Sequence, residues 1–210
     1  MRLFRVGLTG GIASGKTAVG RLLLQSGIPV VDSDQIARDL VTPGSGALSA
    51  IVEKLGPEIL AADGSLDRTR LGQVVFSDES KRRALEKILH PLIQAEQDRW
   101  LAGLESKGDV PLAVVDAALM IESGGWKRFD LIVVVDCDED QQVERLQRRN
   151  GLDAPAALGR VKAQMPLSEK VKFAGRIVDN RGSLRNLEPQ VAELALWLRK
   201  KALEKSSGKD

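Results

Sequence analysis

Gly10-Gly11-Ile12-Ala13-Ser14-Gly15-Lys16-Thr17 is the stretch that decides the fold. It fits G-x-x-x-x-G-K-[ST], with Gly10, Gly15, Lys16 and Thr17 at the defining positions. An apolar run, Leu3-Phe4-Arg5-Val6-Gly7-Leu8, precedes it and reads as a buried strand. Lys16 to Leu24 comes next, with Val19, Leu22 and Leu23 on one helical face. A strand, a glycine-rich turn and a helix in that order let several backbone N–H groups converge on one phosphate. The helix N-terminus adds partial positive charge at the same spot. The expected phosphate-binding set is Gly11, Ile12, Ala13, Ser14, Gly15, Lys16, Thr17 and Ala18. Lys16 would reach the β- and γ-phosphates and the Thr17 hydroxyl would hold Mg2+, which points to ATP as ligand. The competing reading is a strand–helix turn that binds nothing, and the flanking elements weigh against it.

Four further apolar runs lie downstream: Pro29 to Asp32, Leu112 to Asp116, Leu131 to Asp136 and Arg176 to Asn180. Runs without polar alternation suit strands buried on both faces, so the expected fold is α/β. It is a P-loop α/β/α sandwich of three layers around a five-stranded parallel sheet. Ligands of such sheets bind at the carboxyl ends of the strands. Asp32, Asp116, Asp136 and Asp179 are therefore expected to face the phosphate loop. Residues 35–108 hold helical patterns and almost no strand signal, which predicts a helical insertion. His90-Pro91 interrupts its last helix, where proline lacks an N–H and clashes with the preceding turn, so a kink or split is expected. Residues 139–173 read as two short charged helices hinged at Asn150-Gly151, the pattern of a lid. The nucleotide core is left with residues 1–34, 109–138 and 174–204.

Several side chains in this frame can carry chemistry. Phosphoryl transfer to a hydroxyl benefits from a carboxylate that accepts the hydroxyl proton, and Asp34 is the candidate, with Asp32 as a magnesium-water or orienting partner. A helix N-cap at Asp34 and a turn residue at Asp32 explain the same pair equally well. Arg145 with Arg148 or Arg149 forms a guanidinium pair on one face of the lid, suited to charge building on the transferred group. A solvated basic surface is the plain alternative. His90, the single histidine, is either structural or turned to a ligand by Pro91. Asp179-Asn180-Arg181-Gly182 is either a plain turn or a loop packed on a nucleotide base.

Bulk composition sets the class. The 210 residues carry 31 basic and 29 acidic side chains, a net charge of +2, so a dedicated nucleic-acid binder is not expected. The single cysteine, Cys137, excludes an internal disulfide and a cysteine metal cluster, and fits a reducing compartment. No apolar run is long enough to span a membrane and no signal peptide is seen, so the expected location is the cytoplasm. Residues 204–210 are polar and expected to fray.

With these residues in place, the chain resembles the dephospho-CoA kinase family from about Val6 to Val191. The family pattern G-L-T-G-G-I-G-S-G-K-[ST] is matched at Gly7 to Thr17, and D-A-D-x-I-A-R at Asp32 to Arg38. Asp63-Gly64-Ser65-Leu66-Asp67-Arg68 matches D-G-x-L-D-R. Val75-Phe76 and His90-Pro91-Leu92-Ile93 match V-F and H-P-x-I. Arg145 and Arg149, Arg160, Gln164 and Asp179-Asn180 fit the lid and the last strand. The resemblance implies a P-loop kinase of the nucleoside-monophosphate-kinase type that moves the ATP γ-phosphate to the ribose 3′-hydroxyl of dephospho-CoA. It implies Asp34 as general base, Lys16, Arg145 and Arg149 as catalytic cations, and Asn180 beside ATP. Asp32, Arg38, Arg68 and His90 fall on the acceptor side. Ala13, Ser33 and Ala118 depart from the family's glycine, alanine and proline; Ala13 is tolerable unless its φ is positive. A kinase of another small acceptor shares the loop and lid but not the insertion motifs. A GTP switch would need N-K-x-D, which is absent.

Overall fold

Residues 2–207 are described by a computed structural model, apart from the side chains of Phe76 and Leu184. Phe4–Gly10 forms β1, buried at every residue but Arg5, and Lys16–Gln25 forms α1. Then come β2 (Val30–Asp32), α2 (Ser33–Leu40), α3 (Gly46–Leu55), α4 (Arg68–Ser77) and α5 (Glu79–Lys107). Next are β3 (Leu112–Asp116), β4 (Leu131–Asp136), α6 (Glu139–Asn150), α7 (Ala154–Lys162) and α8 (Leu167–Lys170). Finally β5 (Arg176–Asp179) precedes α9 (Leu184–Ser206). All five strands fall where the apolar runs placed them. They form one parallel sheet in the order β2-β3-β1-β4-β5. β1 lies in the middle with β3 and β4 on either side, in register Val6↔Val114 and Val6↔Leu131. The phosphate loop therefore leaves the centre of the sheet at its carboxyl edge.

The chain divides into two units. One holds residues up to Val31 and from Leu101 onward; the other is Asp32–Trp100. In the first, Val6, Leu8, Val114, Val133 and Val135 pack one sheet face against Val19 and Leu23 of α1 and Val191, Leu194 and Leu198 of α9. The opposite face is lined at Gly7 by Met120 and Ile132, which fill the space a Cβ would need. The second unit has its own core, Val41, Ile51, Leu55 and Ile59, joined by Leu66, Leu71, Leu85, Ile88 and Leu89.

Two elements differ from the sequence reading. Pro91 does not split its helix, because α5 is continuous from Glu79 to Lys107 with Pro91 inside. Leu85, Ile88 and Leu89 pack into the helical core just before the proline, and this burial offsets the lost backbone bond. The C-terminal helix also continues to Ser206, further than fraying from residue 204 would allow, while residues 208–210 lie outside the described residues.

Candidate active site

The loop between β1 and α1 is built to receive an anion. Gly15 caps α1 at φ 96°, ψ 10°, with no side chain bonded to the helix N–H groups. Ala18 and Val19 N–H donate to Gly15 O at 2.9 and 3.3 Å, which leaves the Lys16 and Thr17 N–H groups at the helix end, where the helix dipole adds to them. Ala13 has φ 58°, the one non-glycine residue in the left-handed region among the described residues. Left-handed residues on either side of Ser14 curl the backbone into an N–H-lined concavity. The Ser14 hydroxyl is buried without a partner, a polar atom pointing to a group not supplied by the protein. Lys16 is only 8% exposed, and its ammonium is paired with the Asp116 carboxylate at the end of β3.

Among the described residues no cluster of three or more His, Cys, Asp or Glu side chains could hold a metal alone. Mg2+ keeps its waters and binds one or two protein oxygens plus substrate phosphates, so it would need no such cluster. Thr17, exposed at the first turn of α1, carries one hydroxyl oxygen there.

Behind the loop, side chains from α6 and the neighbouring turns grip its carbonyls. Gln142 Nε2 donates to Ile12 O at 2.6 Å, and Ile12 N–H donates to Gln164 Oε1 at 2.7 Å. Arg145 donates to Ala13 O at 3.3 Å, Ser14 O at 3.4 Å and Asn180 O at 2.8 Å. Asn180 Nδ2 donates to Ser14 O at 2.7 Å. Asn180 also fills the space where a Cβ on Gly15 would lie. Arg145 thus stands against the back of the loop, while Arg149 is exposed and donates to Asn150 Oδ1 at 3.0 Å. Leu146, Ala157 and Val161 bind α6 to α7, with Ile12 and Ala13 packed on them. A cavity of about 580 Å³ opens on this side, walled by Gly11, Cys137, Gln142, Val161, Leu167 and Arg181. Gly11 is the phosphate-loop residue in its wall, and none of Ser14 to Thr17 lines it.

The four strand-end acids have different partners. Asp116 is the one that engages the loop lysine. Asp136 and Asp179 pair with Arg181 at 2.5 and 3.5 Å, joined by Asp138 at 2.9 Å. Asp32 caps α2 by accepting from Asp34 N–H at 2.8 Å. Asp34 is therefore not the cap, nor does it share a strand face with Asp32. It is exposed in the first turn of α2, where the helix dipole favours a carboxylate. Ser33 between them is buried and accepts from Gln97 Nε2 at 2.8 Å.

In the helical unit, Asp63-Gly64-Ser65-Leu66-Asp67-Arg68 divides into structural and free parts. Asp63 accepts from Ser65 N–H at 3.0 Å, and Gly64 turns at φ 79°. Asp67 caps α4 through Thr69 and Arg70 N–H, both at 3.0 Å. Arg68 is left exposed, as are Arg38 on α2 and His90 on α5.

Sequence reasoning missed Gln142, Gln97 and Lys170. Lys170 is fully buried on α8; its Nζ donates to Ala118 O at 2.7 Å and pairs with Glu122 at 2.8 Å. Burial pulls its pKa below the usual lysine range, opposed by Glu122. Ala118, where the family has proline, thus offers a carbonyl used by both Lys170 and Thr9. Cys137, just after β4, is buried, and desolvation pushes its thiol up to about 11. No local signal marks a glutamine or lysine for burial; each is identified only by a partner distant in sequence.

A family model described as dephospho-CoA kinase matches residues 4–186. The dephospho-CoA kinase of Geobacter sulfurreducens is 44% identical over 189 residues, covering 90% of this chain and 95% of the relative. That of Geobacter metallireducens is 42% identical over 201 residues, covering 96% and 98%. The crystal structure of TT1252 from Thermus thermophilus superposes with a TM-score of 0.76 at 33% identity, covering 94% and 99%. The dephospho-CoA kinase structure from Campylobacter jejuni shares the fold, with a TM-score of 0.69 at 23% identity over 94% and 98%. With a phosphate loop in place and a match that runs through nearly the whole described fold, the chain belongs to the dephospho-CoA kinase family.

Proposed function

We propose that the chain transfers the γ-phosphoryl group of ATP to the ribose 3′-hydroxyl of dephospho-CoA, giving CoA and ADP, the last step of CoA synthesis. The family match over residues 4–186 carries this reading, because it includes the phosphate loop and the acceptor-side motifs together. Mg2+ would supply charge neutralisation between the β- and γ-phosphates, held on the protein side by Thr17. The loop N–H groups cradle the phosphates. Lys16 exchanges the Asp116 carboxylate for phosphate oxygens, so its charge is kept in place until the nucleotide arrives. Asp34 takes the proton of the 3′-hydroxyl as that oxygen attacks the γ-phosphorus and ADP departs. Its freedom from capping duty leaves the carboxylate for this task. Arg149, exposed on the lid, reaches the transferred group. Arg145 acts from behind the loop, through Ala13, Ser14 and Asn180.

Residues 35–108 form the acceptor side, where Arg38, Arg68 and His90 meet dephospho-CoA with Asp32 at the entry of α2; residues 139–173 form the lid. The reaction is placed in the cytoplasm. No described helix is long and apolar enough to cross a membrane. The test is a reaction with ATP, Mg2+ and dephospho-CoA, with the product resolved by mass and by nuclease P1, which removes a ribose 3′-phosphate. A product one phosphate heavier that the nuclease returns to dephospho-CoA supports the reading. A phosphate at any other position refutes it.

A further inference from the structure

Gln142 carries no motif in the sequence, yet its amide donates to a carbonyl of the phosphate loop at 2.6 Å. It is 4% exposed, and an amide buried so deeply must be bonded. Its Nε2 spends a hydrogen on Ile12 O at 2.6 Å. Gly11 lacks a Cβ where that nitrogen lies, so the glycine and the glutamine fit as a pair. From the other side, Gln164 Oε1 accepts from Ile12 N–H at 2.7 Å, so both polar groups of Ile12 are held.

A trans peptide unit is planar, and its C=O and N–H point in opposite directions. Ile12 C=O shares a plane with Ala13 N–H. Pulling the carbonyl to the back of the loop turns the Ala13 N–H to the front. Asn180 does the same two residues on, where its bond to Ser14 O at 2.7 Å aims the Gly15 N–H. Between them, Ser14 N–H is consumed inside the loop by Gly11 O at 3.0 Å. The front of the loop is thus set through its carbonyls, by the Gln142 and Asn180 side chains bonded to them. The positive φ of Ala13 has the same need, since a non-glycine residue stays left-handed only where its surroundings over-determine it.

We infer that Gln142 is a positioning residue for ATP: by holding the Ile12 carbonyl it orients the Ala13 N–H toward the phosphates before the nucleotide binds. The inference rests on the reading of the loop as a nucleotide-phosphate site. It does not depend on the acceptor. Glutamine suits the task because it donates without charge. A glutamate would set a carboxylate against the Ile12 carbonyl, and a methionine would keep length and lose the donor.

The test compares wild type with Gln142→Met and Gln142→Glu by calorimetry, using MgATP and dephospho-CoA separately, alongside thermal unfolding. Gln142→Met is expected to weaken MgATP about tenfold, equal to about 1.4 kcal/mol, with Gln142→Glu weaker still. Dephospho-CoA affinity should stay within about twofold. A Met variant that binds MgATP as wild type does would overturn the inference, as would equal losses for both ligands. Pyrophosphate titrated into 15N-labelled wild-type protein gives a reading that no variant can spoil. The Ala13 amide should shift among the largest; an unmoved Ala13 amide beside shifted Gly15, Lys16 and Thr17 amides overturns the inference while leaving the phosphate site standing. A wild type in which no loop amide moves overturns both. Failure on dephospho-CoA alone counts only against the proposed acceptor.

Discussion

Ala13 sits at φ 58°, where the family pattern has a glycine. An L-residue in the left-handed region costs about 1–2 kcal/mol, and glycine costs about 0.5–1 kcal/mol through the unfolded chain. The difference favours glycine, so Ala13→Gly should raise stability by about 0.5–1 kcal/mol; the midpoint of urea unfolding checks it. Asp34 invites the opposite kind of experiment. Asp34→Asn keeps the α2 backbone and the Asp32 cap while removing the base, so kcat should fall by about 10²–10⁴ with ATP affinity little changed. Steady-state kinetics with calorimetry separates the two, and an unaltered kcat removes Asp34 from the base role. Cys137 titrates well above the ordinary thiol because burial disfavours its thiolate. At pH 8 it should react with a disulfide reagent far more slowly in the folded protein than in urea. The folded thiol ionises near pH 11 and the unfolded one near 9.0, so by linkage its contribution to stability is intact below pH 9 and is lost as pH rises through 11. At this scale the sequence showed residue types and local spacing. It could not show which of Asp32 and Asp34 caps the helix, since both satisfy the same pattern.

Elements were more legible than residues because burial leaves a mark on whole segments. β3 reads Leu112-Ala113-Val114-Val115-Asp116 and is buried throughout, so an unbroken apolar run was enough to identify it. α5 was less legible: Pro91 signals a break locally, whereas the outcome depends on Ile88 and Leu89 packing into the core with α3, which local spacing does not report. The proline is kept against its helix propensity. Pro91→Ala should therefore stabilise the protein by about 1–3 kcal/mol, measured by urea unfolding. A loss of stability would mean that the ring packs in a way alanine cannot replace. α6 and α7 were visible as charged segments, but the grip of α6 on the loop was not. Gln142 and Ile12 lie 130 residues apart, and only the sheet order brings α6 to the back of β1's loop.

On the scale of the molecule, the central placement of β1 organises the rest. Each neighbouring strand delivers side chains from its carboxyl end: β3 brings Asp116 to Lys16, and β4 leads into α6 with Gln142 and Arg145. The helical unit has its own core and offers Arg38, Arg68 and His90 at its surface. A phosphate loop on a parallel sheet accounts for a donor alone, and the helical unit is the proposed acceptor side, so the choice of acceptor is the claim to test. The direct measurement is a coupled ADP-release assay with ATP and Mg2+, run with dephospho-CoA beside AMP, CMP and dTMP. Turnover with dephospho-CoA at least about a hundredfold above the three nucleotides is the expected result. Turnover with a nucleoside monophosphate and none with dephospho-CoA would contradict it.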